Sequence, residues 1–228
     1  READTLLFDI GGEYLGPAQY KEDYLALGPT LGKGLVRSPF LNYAAALRVK
    51  PASGRSLAAI HEPHFDRTYG HYCSHQNTPN RLEPADHAGA LRKGRIVFLA
   101  HALGKMYHEH GARLHRDVFI NALDLLYTQP LLRTDMPSAG RATLVTQPRR
   151  KRHVVHLLYA PPLKRGRCLV IEDTPPLFDV PVAVRIPETI RAVRLPLTGE
   201  SLPFRMVEGV LETVVPQVRA HQMLVLEW

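Results

Sequence analysis

Apolar positions along the chain change period once, near Pro130. Before it the pattern mixes helix and strand. Leu6, Leu7 and Ile10 are helically spaced, and the Gly11-Gly12 pair closes the run as a C-cap would, which predicts the tail of a helix. Short strand-like runs follow at 40–43, 46–49 and 56–60, punctuated by Gly and Pro. RIVFLA at 95–100 is a continuous apolar run after Gly94, and it predicts a parallel strand covered on both faces. Leu114, Val118, Ala122 and Leu125-Leu126 recur at spacings of three and four, predicting a long helix over 105–126 that Gly111 can split in two. Helix, strands, loop, strand and helix together predict an α/β domain over residues 1–132.

Beyond Pro130 the helical period disappears and proline becomes frequent. Strand candidates follow at 142–146, 153–159, 169–172, 180–186, 190–197, 204–207, 210–215 and 222–227. In VPVAVRI, Val180, Val182, Val184 and Ile186 alternate with Pro181, Ala183 and Arg185, giving one buried and one more exposed face. Thr198-Gly199-Glu200 and Glu208-Gly209 are turn signals. Many short strands without a helix predict an all-β sandwich of immunoglobulin-like size over 133–228. The Cys–Trp–Cys pattern of true immunoglobulin domains is missing.

Charge and cysteine content adjust this picture only slightly. The 228-residue chain carries a net charge of +7. Its densest basic cluster, Arg149-Arg150-Lys151-Arg152, falls where a hairpin turns, so it reads as a solvated loop tip. Nucleic-acid binding would need basic residues interleaved with aromatics on one face, and no nucleic-acid partner is expected. No apolar window reaches the length of about 18 residues that a spanning helix needs, so no membrane partner is expected either. Cys73 and Cys168 fall in different predicted domains, which argues against a disulfide framework and for a reducing, cytoplasmic setting. The opening Arg-Glu-Ala-Asp, without an initiator Met, suggests a piece of a longer chain.

The candidate chemistry concentrates in His61–Pro79, HEPHFDRTYGHYCSHQNTP. It holds His61, His64, His71 and His75 with Phe65, Arg67, Tyr69, Tyr72 and Cys73, and it has no core periodicity. Loops this rich in hydrogen-bonding groups carry function disproportionately. Paired-carboxylate acid–base catalysis would need two facing carboxylates, and the spacing of Glu62, Asp66, Glu83 and Asp86 pairs none of them. Cys73 lacks the strand before it and the helix after it that a nucleophile elbow requires. His71 and His75 are spaced as zinc ligands can be, yet no second closely spaced pair accompanies them. No catalytic residue, metal ligand or cofactor is therefore assigned. His64, Arg67, Tyr69, His71 and His75 offer donors, acceptors and flat apolar faces. Two readings stand: a wall at a substrate entrance, or a surface loop packed on itself. His101, just after the RIVFLA run, is a further entrance candidate, because ligands gather at strand ends in open α/β sheets. Equally, it can cap the next helix. His153, His156 and His221 are expected on strands, facing solvent or a domain interface.

Longer phrases carry a resemblance. GRIVFLAHALGKMYHEHG and LHRDVFINALDLL, then LLRTDMPSAGRATLVTQPRRKRHVVHLLY, VIEDTPPLFDVPVAVRIP and VPQVRAHQMLVLEW, resemble in order the C-terminal portion of glycoside hydrolases that carry a β-galactosidase trimerisation domain. That group includes proteins similar to α-L-fucosidases. The resemblance implies a partial class I glutamine amidotransferase-like (flavodoxin-like) domain at 1–132 and a terminal β-sandwich at 133–228. It also implies a catalytic barrel upstream, a carbohydrate substrate for the whole enzyme, and a homo-oligomer, namely a trimer. The function expected on this basis is that of a non-catalytic accessory part, serving oligomerisation and shaping the active-site entrance. The alternatives are a carbohydrate-binding module using the sandwich, or a small independent enzyme using Cys73 or a metal.

Overall fold

A computed structural model describes residues 8–228. Leu6 and Leu7, which carry most of the expected N-terminal helix, lie outside the described residues. The chain divides into two units, the first ending at Thr128 and the second spanning Gln129–Trp228.

The first unit is built on strands. They are β1 (Gly12–Gly16), β2 (Asp23–Leu27), β3 (Phe40–Asn42), β4 (Arg48–Pro51), β5 (Arg55–His61), β6 (Ala88–Lys93) and β7 (Ile96–Leu99). Two helices follow, α1 (Leu103–His110) and α2 (Arg113–Asp124). Five strands form one sheet in the order β3-β2-β5-β6-β7, and β1 pairs with β4 in a separate ribbon. Every strand pairing among the described residues of this unit is antiparallel. Leu25, Leu31, Ile60, Met106 and Val118 form the main core and are almost wholly buried.

This overturns the expected α/β, flavodoxin-like domain: strands make up 43% of the structure, and among the described residues there are only two α-helices. A parallel sheet needs crossover connections of a dozen or more residues. Here β6 turns directly into β7 through Gly94, whose φ of 56° suits the left-handed backbone of a tight hairpin. RIVFLA is thus an antiparallel edge strand, and Ile96 is left exposed. The preceding segment, for which the sequence pattern predicts no strand, contains β6. It escapes the periodicity because its buried positions are Ala88, Gly89 and Ala90 as well as Leu91. A Cβ on Gly89 would lie 2.1 Å from Leu25 Cδ1, so a small residue there is a packing requirement. The Gly11-Gly12 pair does mark left-handed backbone, with Gly11 at φ 78°, but it leads into β1. Gly111, at φ 66° and ψ 10°, ends α1 as its C-cap and separates it from α2.

The second unit contains β8 (Leu132–Thr134), β9 (Gly140–Gln147), β10 (Arg152–Tyr159), β11 (Leu163–Arg165), β12 (Cys168–Val170), β13 (Leu177–Arg185), β14 (Ala192–Arg194), β15 (Phe204–Val207), β16 (Val210–Val218) and β17 (Ala220–Glu227). Two four-stranded sheets, β14-β17-β10-β9 and β15-β16-β13-β8, form the sandwich, and β11 pairs with β12 as a ribbon. The core lies between the inner faces. Val180, Val182, Val184 and Ile186 supply it from one sheet, and Val155, Leu157, Leu224 and Leu226 from the other. The alternation legible in the sequence is the alternation observed. Glu208 and Gly209 both take positive φ, 50° and 77°, as a two-residue hairpin between β15 and β16 requires. The basic cluster sits at the β9–β10 hairpin, in a short 3-10 turn ending at Lys151.

His153 departs from expectation. Its position on β10 places it on the buried side. Its Nε2–H donates to Glu188 Oε2 at 2.9 Å, Nδ1 shares a 3.0 Å bond with Thr146 Oγ1, and its ring lies 4.4 Å from that of Trp228. A buried polar ring is tolerated because both nitrogens are partnered. The same hydrogen bond holds the Glu188 carboxyl below its ordinary pKa, against a smaller opposing effect of burial.

Candidate functional site

The histidine-rich loop leaves β5 at His61 and is closed at its neck before the chain reaches β6. Pro63 bridges Asn80, His64 N–H donates to Pro79 O at 3.1 Å, and Arg81 N–H donates to Glu62 O at 2.8 Å. Arg81 also reaches the Glu62 carboxylate at 3.5 Å and donates to Tyr20 Oη at 2.8 Å. From the sheet, Tyr24 Oη donates to the carbonyl of buried Thr78 at 2.6 Å, and Asp66 accepts the Lys21 N–H at 3.1 Å. Burial pushes the nearby Glu22 carboxyl above its ordinary pKa, although a hydrogen bond from the Thr78 backbone opposes the shift.

The tip is different. His71 stacks on Phe65 with ring centroids 3.6 Å apart, and Thr68 and His71 exchange backbone hydrogen bonds across a turn. Beyond that turn Tyr69 is fully exposed and Tyr72 largely so. With Arg67 and Thr68 they line an open hollow of about 670 Å³. His64 and His75 are exposed, and the Arg67 guanidinium reaches only as far as Gln76 O, at 3.5 Å. The loop thus has an anchored neck and a tip that presents His64, Arg67, Tyr69, His71, His75 and the unforeseen Tyr72. A self-packed interior and a free polar-aromatic rim coexist in one loop.

The thiol of Cys73 faces the carbonyls of His75 and Asn77, at 3.4 and 3.7 Å. Carbonyl oxygens cannot accept a proton as a general base, so this contact does not activate a nucleophile. Both cysteines are free. Among the described residues, no three His, Cys, Asp or Glu side chains converge as a metal site would require.

His101 is placed apart from the loop. It is buried, and its Nε2 lies 2.7 Å from Asp23 Oδ1. Asp23 also accepts the Ala46 N–H at 2.7 Å on Oδ2 and approaches Asn42 Nδ2 at 3.4 Å. Asn42 Oδ1 in turn accepts from His115 Nε2 at 3.0 Å. Asp23 and Asn42 face each other across the β2–β3 pair, so this chain of four buried side chains ties the helical segment to the sheet. Sequence reasoning missed its other three members. His115 was detectable, since it stands three and seven residues before Val118 and Ala122 on the buried stripe of α2. Asp23 and Asn42 carry no local signal.

Burial lowers the His115 pKa below the ordinary 6.5, and the nearby His101 and His110 lower it further. The folded state therefore favours the neutral ring, while the unfolded chain takes up a proton near 6.5. Stability from this group is present above that value and is lost as pH falls from about 6.5 through the lowered folded value. Urea unfolding at pH 7.5 and pH 5.5 should give a lower midpoint at pH 5.5. His115→Gln should show a smaller difference between the two.

Two antiparallel β units, one of them bearing an anchored loop with an aromatic tip, define the class: a β-rich, two-unit segment. Among solved structures the chain is similar to α-L-fucosidase isoenzyme 2 from Paenibacillus thiaminolyticus, with a TM-score of 0.90 and 27% identity. The match covers 97% of this chain and 34% of that one, so the chain spans about a third of the length of that structure. A β-galactosidase from Bacillus circulans sp. alkalophilus matches at a TM-score of 0.42 and 11% identity, over 95% of this chain and 24% of the other, too low to carry weight. No family model matches the sequence, and no curated protein matches it. No described helix is long and apolar enough to cross a membrane.

Proposed function

We propose that the chain is the non-catalytic accessory part of a glycoside hydrolase of α-L-fucosidase type, and that its histidine-rich loop walls the entrance to an active site supplied by the rest of the enzyme. The observation that supports this most is the match to about one third of an α-L-fucosidase, over nearly the whole of this chain. The loop's construction agrees with it. Fixing a neck by five separate hydrogen bonds while leaving two tyrosines in water suits a surface that meets something else. Sugars offer hydroxyls to Arg and His and C–H faces to Tyr, so a carbohydrate is the ligand chemistry that the tip fits best. Assembly into a closed homo-oligomer, a trimer, and a cytoplasmic setting for the two free thiols complete the reading.

The test is an assay of the 228-residue chain alone against an aryl α-L-fucoside. No turnover above buffer is expected, because the hydrolytic carboxylates belong to the remaining two thirds of the enzyme. Turnover that survives purification to a single species would make the chain an enzyme in its own right.

A further inference from the structure

The second unit carries a pair of histidines that the loop-based reading leaves unused. His156 on β10 and His221 on β17 lie on the outer face of their sheet, opposite to buried Val155 and Leu157. His156 Nδ1 and His221 Nε2 are 3.1 Å apart. The ring planes agree within 4°, while the ring centroids are 5.3 Å apart. The facing nitrogens are therefore much closer than the centroids, and the rings meet edge to edge. Only one proton fits between them, with one nitrogen donating and the other accepting. Met223 stands directly across the ladder from His156 on the same face, two residues from His221. Two imidazole nitrogens and a thioether thus occupy adjacent positions of one rigid antiparallel ladder.

We propose that His156, His221 and Met223 form a site for a soft monovalent metal ion, copper(I). Moving the bridging proton to the far nitrogen of its own ring frees both facing lone pairs without net loss of a proton. An ion held between the nitrogens would set them about 4 Å apart, twice a metal–imidazole bond of ~2.0 Å. Small rotations of two partly exposed side chains supply that opening. The donor set decides the metal. Imidazole with a thioether, and no carboxylate, selects copper(I) over zinc or magnesium. Arg141, opposite Leu158 on the same face, adds positive charge, which penalises a divalent ion more than a monovalent one.

The experiment is an anaerobic titration with copper(I) against a chromophoric copper(I) chelator. It uses the protein with Cys73→Ser and Cys168→Ser, so that neither thiol competes. One equivalent should be retained. His156→Ala and His221→Ala should each weaken retention by at least the roughly tenfold that loss of even an outer-shell partner costs. Met223→Leu should weaken copper(I) retention and leave the thermal unfolding midpoint unchanged, which separates a thioether contact from a general loss of structure. Less than one equivalent retained, or equal retention after both histidine substitutions, overturns the proposal.

Discussion

Asp23→Ala is expected to destabilise the first unit by about 3 to 5 kcal/mol, the range for breaking a buried polar pair from one side. The carboxylate accepts from His101 at 2.7 Å, from the Ala46 backbone at 2.7 Å and from Asn42 at 3.4 Å. Removing it strands three buried donors, each of which costs about 1 to 3 kcal/mol when it has no partner. His101 and His115 each already hold a buried Nδ1 without a protein partner, so the network is incompletely satisfied even with Asp23 in place. Asp23→Asn keeps an acceptor oxygen but offers an amide N–H2 donor where a second acceptor stood, and it should lose less. Urea unfolding followed by near-ultraviolet circular dichroism measures both. Equal stability of Asp23→Ala and the parent would mean that the network does not tie the helices to the sheet.

Leu224→Ala is expected to cost about 2 to 5 kcal/mol in the second unit. Leu224 is fully buried between the sheets, where Val155 and Leu157 of the neighbouring strand are fully buried too. Strand backbones held in two ladders cannot collapse into the space left behind, so the loss should lie toward the upper half of that range. The exposed Val145 on the outer face of the same sheet provides the contrast. Val145→Ala should change stability by less than about 0.5 kcal/mol, as surface substitutions do. Thermal unfolding of both variants distinguishes them.

The sandwich was legible because its strands obey a period of two over a single core. Val180, Val182, Val184 and Ile186 announce their face, and Glu208-Gly209 announces its turn. The first unit was misread for a physical reason. RIVFLA has the composition of a buried parallel strand, but composition does not say whether the next strand returns by a helix or a hairpin. Its partner β6 hides behind Ala88, Gly89 and Ala90, residues chosen because Leu25 packs against the backbone there. The loop was recognisable from its lack of period together with its side-chain chemistry. Its division into a fixed neck and a free tip was not, since Tyr20, Tyr24 and Lys21 anchor it from far along the chain. His101 fell into the buried network for the same reason: Asp23 is distant in sequence and carries no motif.

The central claim is that the loop's tip forms part of a sugar-binding entrance. The direct measurement is steady-state hydrolysis of an aryl α-L-fucoside by the longer glycoside hydrolase proposed above to contain this chain, with Tyr69→Ala and Tyr72→Ala combined, and separately with His64→Ala and His75→Ala. Both tyrosines lie outside the fold's core, so folding should be unchanged. KM is expected to rise by roughly fivefold to tenfold in each double variant, equivalent to about 1 to 1.4 kcal/mol of lost contact, with kcat altered less. Unchanged kcat and KM in both double variants would contradict the account.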